Sequence, residues 1–253
     1  MNAFQNVIEH PSSIAARQQL AVAWMQEGRL QGTLLTKVLA VKALDLPLHA
    51  MDDARDEIRE LIEKHGREWA GRLAELVQDY QYYLGMISSV GISGAKFVEH
   101  GAEICAMAPI LHLGLSEPMC LKEVFAMPQL RQIRTLFLEG DSGDAEAELM
   151  AACPYLTNLR IGALGDRITA VGMQALAAAP SLTNVIAINV TNNPGAQAAV
   201  RGHLFTMRVN ECDYLMGPAA IPYYNDALDE AAKGYNCETP DWPPSFIDVA
   251  WTE

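Results

Sequence analysis

The sequence feature that most constrains the fold is a short pattern, Pro-x-Leu, which recurs in the middle of the chain. It occurs at Pro109, Pro128, Pro154 and Pro180, and the last three prolines are each 26 residues apart. A strand-like apolar run follows each proline, and a run typical of a helix precedes the next. A fixed period of this length indicates stacked strand–helix units, because each unit buries its apolar face only against its neighbours.

The second and fourth units carry the clearest apolar spacing, which is that of a leucine-rich repeat. The apolar positions are Leu130, Ile133, Leu136 and Leu138 in the second unit and Leu182, Val185, Ile188 and Val190 in the fourth. Asp141 and Asn193 stand where such a repeat has its asparagine. In the third unit Gly162 occupies an apolar position, so we predict that the strand there is Leu159-Arg160-Ile161, out of register with the others.

The sequence flanking the repeats predicts further elements. Residues 1 to about 45 have helical apolar spacing, with a break at His10-Pro11-Ser12-Ser13 and a stop at Gly28. A further helix is predicted after Pro47, capped by Asp52 and Asp53 and ending at Lys64-His65-Gly66. Later predictions are helices over 95–108, 145–152 and 171–179, and strands over 110–115 and 205–209.

Two segments resemble a known family. The first comprises Ile8-Glu9-His10-Pro11, Arg17, Leu20, Ala21, Ala23-Trp24-Met25-Gln26-Glu27-Gly28 and Gly32; the second is His65-Gly66-Arg67-Glu68-Trp69-Ala70-Gly71-Arg72-Leu73. In this order they resemble the repeat-companion domain that precedes leucine-rich repeats in many large bacterial proteins. The resemblance implies a helical domain leading into a repeat array. It implies no catalytic residues.

We therefore predict an α/β chain in three parts. Residues 1–90 form a helical companion domain, residues 91–210 form a short leucine-rich-repeat solenoid of parallel strands plus helices with a C-terminal cap, and residues 211–253 form an acidic, aromatic extension. The extension holds nine acids against one base, Lys233, and seven of the eighteen aromatic residues of the chain. Disordered segments are poor in aromatics, so this composition predicts that the extension docks on something.

Composition excludes several classes of partner. A formal net charge of −13 argues against nucleic acid and anionic membranes, which both require a basic surface. No stretch is apolar over the roughly 18 residues that a membrane span needs, and the first thirty residues carry too many charges for a signal peptide. The five cysteines are odd in number and never form a Cys-x-x-Cys pair, so we expect reduced thiols in a cytoplasmic protein.

Motifs that bind metals or nucleotides are missing from the sequence. None of the six histidines has a Cys or His partner at zinc-ligand spacing, and no glycine-rich phosphate-binding motif is present. We therefore predict neither a metal site nor a cofactor. The candidate site is instead the solvent-facing side of the repeat strands, together with the extension. Its residues are His112, Phe137, Glu139, Arg160, Asn189, Thr191, Trp242 and Trp251.

Phe137 is the most suggestive member of this set, because a large apolar side chain facing out of a strand often marks a contact. The alternative is that the extension or the helical domain covers it. The sequence therefore predicts a non-catalytic protein-binding or scaffold protein of undetermined oligomeric state. Two other functions stay open: an enzyme that uses a carboxylate such as Glu99 or Glu103 with His100 between the helical domain and the repeats, or an extension on which another enzyme acts.

Overall fold

A computed structural model gives the fold of the chain. It describes residues 2–43, 48–117, 119–140, 142–165, 167–189, 205–209 and 212–216. The chain divides into two compact units, one comprising Met1–Ile92 with His100–Leu111, the other Ser93–Glu99 with His112–Glu253. Within the described residues, no helix combines the length and the apolar character that crossing a membrane would require.

The first unit is mainly helical. Its elements are α1 (Ala3–Glu9), α2 (Ile14–Gln26), α3 (Leu30–Lys42), α4 (Leu48–Ala70), α5 (Leu73–Leu76) and the strands β1 (Asp79–Tyr83) and β2 (Met86–Ser93). The Ser13 side chain accepts a hydrogen bond from the Ala16 amide at 3.1 Å and so caps α2. Gly28 follows α2 with a φ of +71°, a conformation that glycine adopts without strain. The helices predicted between residues 1 and 45, and the stop at Gly28, are thus confirmed.

The end predicted for the helix after Pro47 is wrong. Helix α4 begins at Leu48 but continues through Gly66 to Ala70. A Cβ atom at Gly66 would lie 3.3 Å from the ring of Tyr82, whose hydroxyl donates a hydrogen bond to the Gly66 carbonyl at 2.9 Å. Glycine at this position permits a close approach of strand β1 and does not end the helix. Asp53 accordingly lies inside α4 and is not its cap.

Strands β1 and β2 form an antiparallel hairpin that the sequence did not predict. The two residues that join them, Leu84 and Gly85, have φ values of +48° and +75°, as in the tight turns that suit hairpins. The buried Arg17 side chain donates hydrogen bonds to the carbonyls of Leu84 at 3.5 Å and Pro11 at 2.8 Å. Burial lowers the pKa of Arg17 to about 10, so it remains a cation at neutral pH and fastens the turn to the loop before α2.

The second unit alternates strands and helices. After the start of α6 (Gly94–Met107) come β3 (His112–Ser116), α7 (Leu121–Phe125), β4 (Thr135–Leu138), α8 (Asp144–Ala152), β5 (Ile161–Ala163), α9 (Ala170–Ala178) and β6 (Ala187–Asn189). Strands β3, β4, β5 and β6 pair in parallel in that order. Strand β7 (Phe205–Val209), predicted from the sequence, pairs antiparallel with β8 (Cys212–Met216), and β8 pairs antiparallel with β6. The start of the proposed extension at residue 211 therefore precedes a strand of this sheet.

The 26-residue period is present in the backbone hydrogen bonds. The amides of Met127, Cys153 and Ala179 each donate to the carbonyl three residues earlier, just before the prolines. Strands β4, β5 and β6 each begin seven residues after Pro128, Pro154 and Pro180, whereas β3 begins three residues after Pro109. Pro109 is therefore not the structural equivalent of the other three prolines, although it shares their Pro-x-Leu pattern.

Polar side chains connect successive units. Asn158 and Asn184 are 26 residues apart, and each donates through Nδ2 at 2.7 Å to a carbonyl of the preceding unit, that of Arg131 and that of Thr157 respectively. The Asp144 carboxylate, in the first turn of α8, accepts from the amides of Thr169 at 2.7 Å and Gly172 at 3.0 Å. Its hydrogen bonds with Thr169 and Gly172 hold the pKa of Asp144 below its usual range. Asp144 thus caps α9 from the helix before it.

The predicted register slip at Gly162 is wrong. Strand β5 covers Ile161–Ala163, and Gly162 pairs with Leu136 on one side and Ile188 on the other. A Cβ at Gly162 would lie 3.4 Å from Ile188 Cγ1, which is an ordinary van der Waals contact. The backbone ladder keeps its register even though this inward position lacks a side chain. The strand predicted over Leu159–Ile161 in fact begins two residues later, at Ile161.

Replacing Gly162 with alanine is expected to raise the free energy of unfolding by about 0.5–1 kcal/mol, because alanine restricts the unfolded chain and its methyl group fits the native site. Urea denaturation measures this change. Gly172→Ala is the matched control, since its Cβ would lie 2.6 Å from Asp144 Oδ1 and 2.7 Å from Ile168 Cγ2. That variant should lose about 1–3 kcal/mol. A Gly162→Ala variant as unstable as Gly172→Ala would contradict the observed register.

Candidate functional site

The parallel strands present one face inward and the other outward, because successive side chains of a strand alternate. The inward positions Leu113, Leu136 and Ile188 are 0% exposed. By the same register the outward positions at mid-strand are Gly114, Phe137, Ala163 and Asn189, which pair in that order from β3 to β6. We call these four residues the central row. Gly114, Phe137 and Ala163 are half-buried, so the middle of this face is partly open to solvent.

A second outward row lies nearer the amino-terminal ends of the strands. It consists of His112, Thr135, Ile161 and Ala187, which also pair in order across the sheet, and we call it the edge row. Thr135, Ile161 and Ala187 are at most 4% exposed. These three residues are therefore shielded from solvent, in contrast to the half-buried central row beside them. Strand alternation alone could not have predicted the difference.

His112 is the polar member at the β3 end of the edge row. The residue is half-buried, but its Nε2 atom has almost no contact with solvent. Burial, and then the nearby charge of Arg134, lower the pKa of His112 to about 3. The imidazole is consequently neutral at any physiological pH, and a neutral imidazole can both donate and accept a hydrogen bond.

Two arginines flank the edge row. Arg134 and Arg160 immediately precede β4 and β5, and the Arg134 carbonyl accepts hydrogen bonds from the amides of Arg160 at 2.8 Å and Ile161 at 3.0 Å. Both side chains are half-buried. The sequence analysis placed Arg160 within a strand beside the outward residues; in the structure it lies before β5, and Ala163 occupies the position beside Phe137. The amino-terminal edge of the sheet thus carries a pair of guanidinium groups at the 26-residue spacing.

The opposite edge of the sheet is acidic. Glu139 follows β4 and is exposed, and its amide donates to the Leu115 carbonyl at 2.9 Å, which extends the ladder by one residue. Asp144 lies five residues further on, at the start of α8. Charge is therefore distributed asymmetrically along the strands, with arginines where the strands begin and carboxylates after they end.

The structure brings only part of the predicted site together. His112 and Phe137 belong to the adjacent strands β3 and β4, Glu139 directly follows β4, and Asn189 extends the central row in β6. Thr191, Trp242 and Trp251 lie outside the described residues, as does Asn193. The sequence analysis missed Arg134 and Ala163. The 26-residue spacing between Arg134 and Arg160 was the available signal for the first, and correct placement of Gly162 would have revealed the second.

The residues suggested for catalysis have the contacts of a surface cluster. Glu103 forms an ion pair with Arg72, and His100 Nδ1 lies 3.8 Å from Glu103 Oε2. The hydrogen bond from Arg72 lowers the pKa of Glu103, whereas a carboxyl group acting as a general acid near neutral pH needs a raised one. The arrangement therefore fits a solvated ion pair better than a proton donor.

The described residues also bear on metal and thiol chemistry. Among them, no group of three or more His, Cys, Asp or Glu side chains is placed to hold a metal ion. Cys105 and Cys153 are buried free thiols, and Cys120 is an exposed one. The Cys153 thiol donates to the Phe125 carbonyl at 3.2 Å, and burial raises its pKa. A buried thiol with a raised pKa is less reactive, since the thiolate is the nucleophile.

Comparison of the chain with protein-family models, with curated proteins and with solved structures gives no match. The outward face of β3 to β6 is therefore interpreted from its own geometry and charge.

The low pKa of His112 predicts a particular loss of stability in acid. The unfolded state binds a proton near pH 6.5 whereas the folded state does not until about pH 3, so the full stability is present above pH 6.5 and falls as the pH is lowered. The slope is at most about 1.4 kcal/mol per pH unit. Between about pH 7 and about pH 5, we expect wild type to lose up to about 2 kcal/mol more than His112→Gln in urea denaturation. Equal losses would show that His112 is accessible to protons.

Proposed function

We propose that the chain is a non-catalytic protein-binding or scaffold protein, in which a helical companion domain is followed along the sequence by a short leucine-rich-repeat solenoid. Its binding surface is the outward face of β3, β4, β5 and β6. The resemblance of the amino-terminal segments to the companion domain supports this architecture, as do the parallel strands that begin at a fixed distance from three prolines 26 residues apart. We also propose a cytoplasmic location.

The observation that carries the binding proposal is the central row. Phe137 stands half-buried on the outward face, with Gly114 on one side and Ala163 on the other. Both of these neighbours are small: glycine has no side chain and alanine has only a methyl group. A partly exposed aromatic side chain is typical of an anchor residue, because it buries a large apolar area at little cost in conformational entropy.

The chemistry around Phe137 indicates the kind of partner. Phe137 supplies an apolar contact in the half-buried central row, and Arg134 and Arg160 place positive charge where the strands begin. A protein segment with apolar or aromatic side chains and one acidic flank would match this distribution. Glu139, at the other edge, would repel acidic groups and so set the orientation of the bound segment.

An enzymatic function is the alternative, with Glu99, His100 and Glu103 as its candidate residues. The pairing of Glu103 with Arg72 argues against it. A third possibility is that another enzyme acts on the extension; limited proteolysis that never cuts between Asn210 and Trp242 would count against that idea. The two alternatives and the binding proposal make different predictions for a partner-capture experiment.

The test is capture of partners from native lysate by the full-length protein, quantified by mass spectrometry. We expect a stoichiometric partner whose recovery falls about 30-fold on Phe137→Ala, since truncation of an anchor aromatic typically costs about 2 kcal/mol or more. Val171→Ala is the matched control: it truncates an apolar side chain that is 57% exposed on α9. This variant should bind as wild type does.

Urea denaturation of Phe137→Ala and Val171→Ala separates loss of binding from loss of folding. A third variant, Phe137→Leu, removes the ring but keeps an apolar side chain at this position. A partner retained equally by all variants would place binding elsewhere on the chain. If no partner is captured but a turnover activity is found that His100→Ala abolishes, the enzymatic alternative replaces the proposal.

A further inference from the structure

Strand β1 has an open outer edge. It pairs with β2 on one side, and in the part of the chain that the structure describes no strand lies on its other side. None of the five residues of β1 is buried, whereas six of the eight residues of β2 are. The backbone amides and carbonyls of successive residues in a strand point to opposite sides, so part of those of β1 point away from β2.

Strand β1 lacks the features that usually prevent an edge strand from pairing, namely lysine, proline or a β-bulge. Its sequence, Asp-Tyr-Gln-Tyr-Tyr, contains neither lysine nor proline. The hairpin has one irregularity, but this lies in β2: Gln81 pairs with Ser89 and Tyr82 with Ile87, which leaves Ser88 as the extra residue. Strand β1 is therefore regular along its length, and its outer edge is suited to pairing with another strand.

The sequence of β1 is also symmetric about its middle residue, since Gln81 has a tyrosine on each side. If two copies of the strand paired antiparallel about this residue, each Gln81 would face the same residue of the second copy. Each Tyr80 would face Tyr82 of the second copy, and each Asp79 would face Tyr83. Aromatic residues directly opposite each other stabilise a strand pair, whereas like charges destabilise it. This register opposes aromatic to aromatic and amide to amide, and it places no two carboxylates opposite each other.

The tyrosines of β1 are held in place within one chain. The rings of Tyr80 and Tyr82 contact each other edge to face, with centroids 6.3 Å apart and an interplanar angle of 71°. The Tyr82 hydroxyl donates a hydrogen bond to the Gly66 carbonyl of α4 at 2.9 Å. Ordered side chains lose little conformational entropy when they enter an interface. Gln81 is exposed, and its side-chain amide can both donate to and accept from a second copy of itself.

We propose that two copies of this chain form a two-fold symmetric dimer by antiparallel pairing of their β1 strands about Gln81. Because the axis passes through the pair of Gln81 residues, the dimer is closed whichever alternate set of backbone groups points outward. The pairing leaves no open β1 edge for a third copy. This surface belongs to the first unit, so it is an interaction in addition to the binding proposed for β3 to β6.

The strength of the dimer should depend on salt in a characteristic direction. One strand from each copy makes a small interface, so we expect a dissociation constant of about micromolar or weaker. Each chain carries a formal net charge of −13, and the two copies therefore repel each other at long range. Salt screens this repulsion, so the dimer should become tighter as the salt concentration rises. Analytical ultracentrifugation of the full-length protein over a wide range of concentrations measures the dissociation constant.

Exchanging charges at position 81 tests the register. Gln81→Lys and Gln81→Glu each place two like charges opposite each other, so either variant alone should weaken the dimer at least about tenfold. An equimolar mixture of the two variants opposes unlike charges and should restore a dimer at least as tight as that of wild type. Restoration by mixing cannot result from misfolded variants. Gln18→Lys is the matched control: it makes the same change at an exposed glutamine of α2 and should dimerise as wild type does.

Hydrogen exchange shows whether β1 is the strand that pairs. The amides of Asp79–Tyr83 should exchange more slowly as the protein concentration rises, because pairing protects them. A protein that stays monomeric at every concentration would overturn the proposal, as would a dimer that both charged variants leave unchanged or a mixture that restores nothing. Protection of the β1 amides in a monomer would mean that another part of the chain covers this edge, which also refutes it. Partner capture with Phe137→Ala examines a different surface, so either proposal can fail without the other.

Discussion

Hydrogen bonds from one unit to the backbone of the next are the interactions on which the repeat region depends. Asn158 and Asn184 satisfy carbonyls of the preceding unit, and Asp144 satisfies two amides at the start of α9. A strand of three or four residues has few ladder bonds of its own, so stability must come from adjacent units. Loss of one of these hydrogen bonds therefore weakens the packing between two repeat units. The strands of the candidate site are thus aligned by hydrogen bonds that lie outside the site itself.

The 26-residue period of the repeat region could be predicted from the sequence because proline, leucine and alanine recur at the same spacing. Two features could not. The β1–β2 hairpin turns at Leu84 and Gly85 without the Asn-Gly or Asp-Gly that usually identifies such turns. Glycine also gave ambiguous signals, since Gly66 lies within a helix against Tyr82 and Gly162 lies within a regular strand. The glycine at Gly66 reflects close packing by Tyr82, whereas Gly162 lies in a strand with room for a methyl group, and a single sequence reveals neither setting.

The candidate site could likewise be predicted only in part from the sequence. Alternation in β4 correctly predicted that Phe137 faces away from the buried leucines. The strong shielding of Thr135 and Ile161 on that same face was not predictable, because alternation gives the side of a sheet and not what lies against it. Arg160 was assigned to the wrong strand position for a related reason. Gly162 occupies the inward position of β5 but has no side chain, so the sequence lacks the apolar residue that would have shown where the alternation of this strand begins.

The antiparallel hairpin of β7 and β8 also constrains how such a chain can change length during evolution. A new 26-residue unit requires a free parallel edge on which to add its strand, and β8 already occupies that edge of β6. Duplication after β6 would force the hairpin to move, whereas a unit inserted between β4 and β6 would leave both ends of the array unchanged. Length variants of this protein should therefore differ by whole units in the interior of the array, with the hairpin conserved behind the last parallel strand.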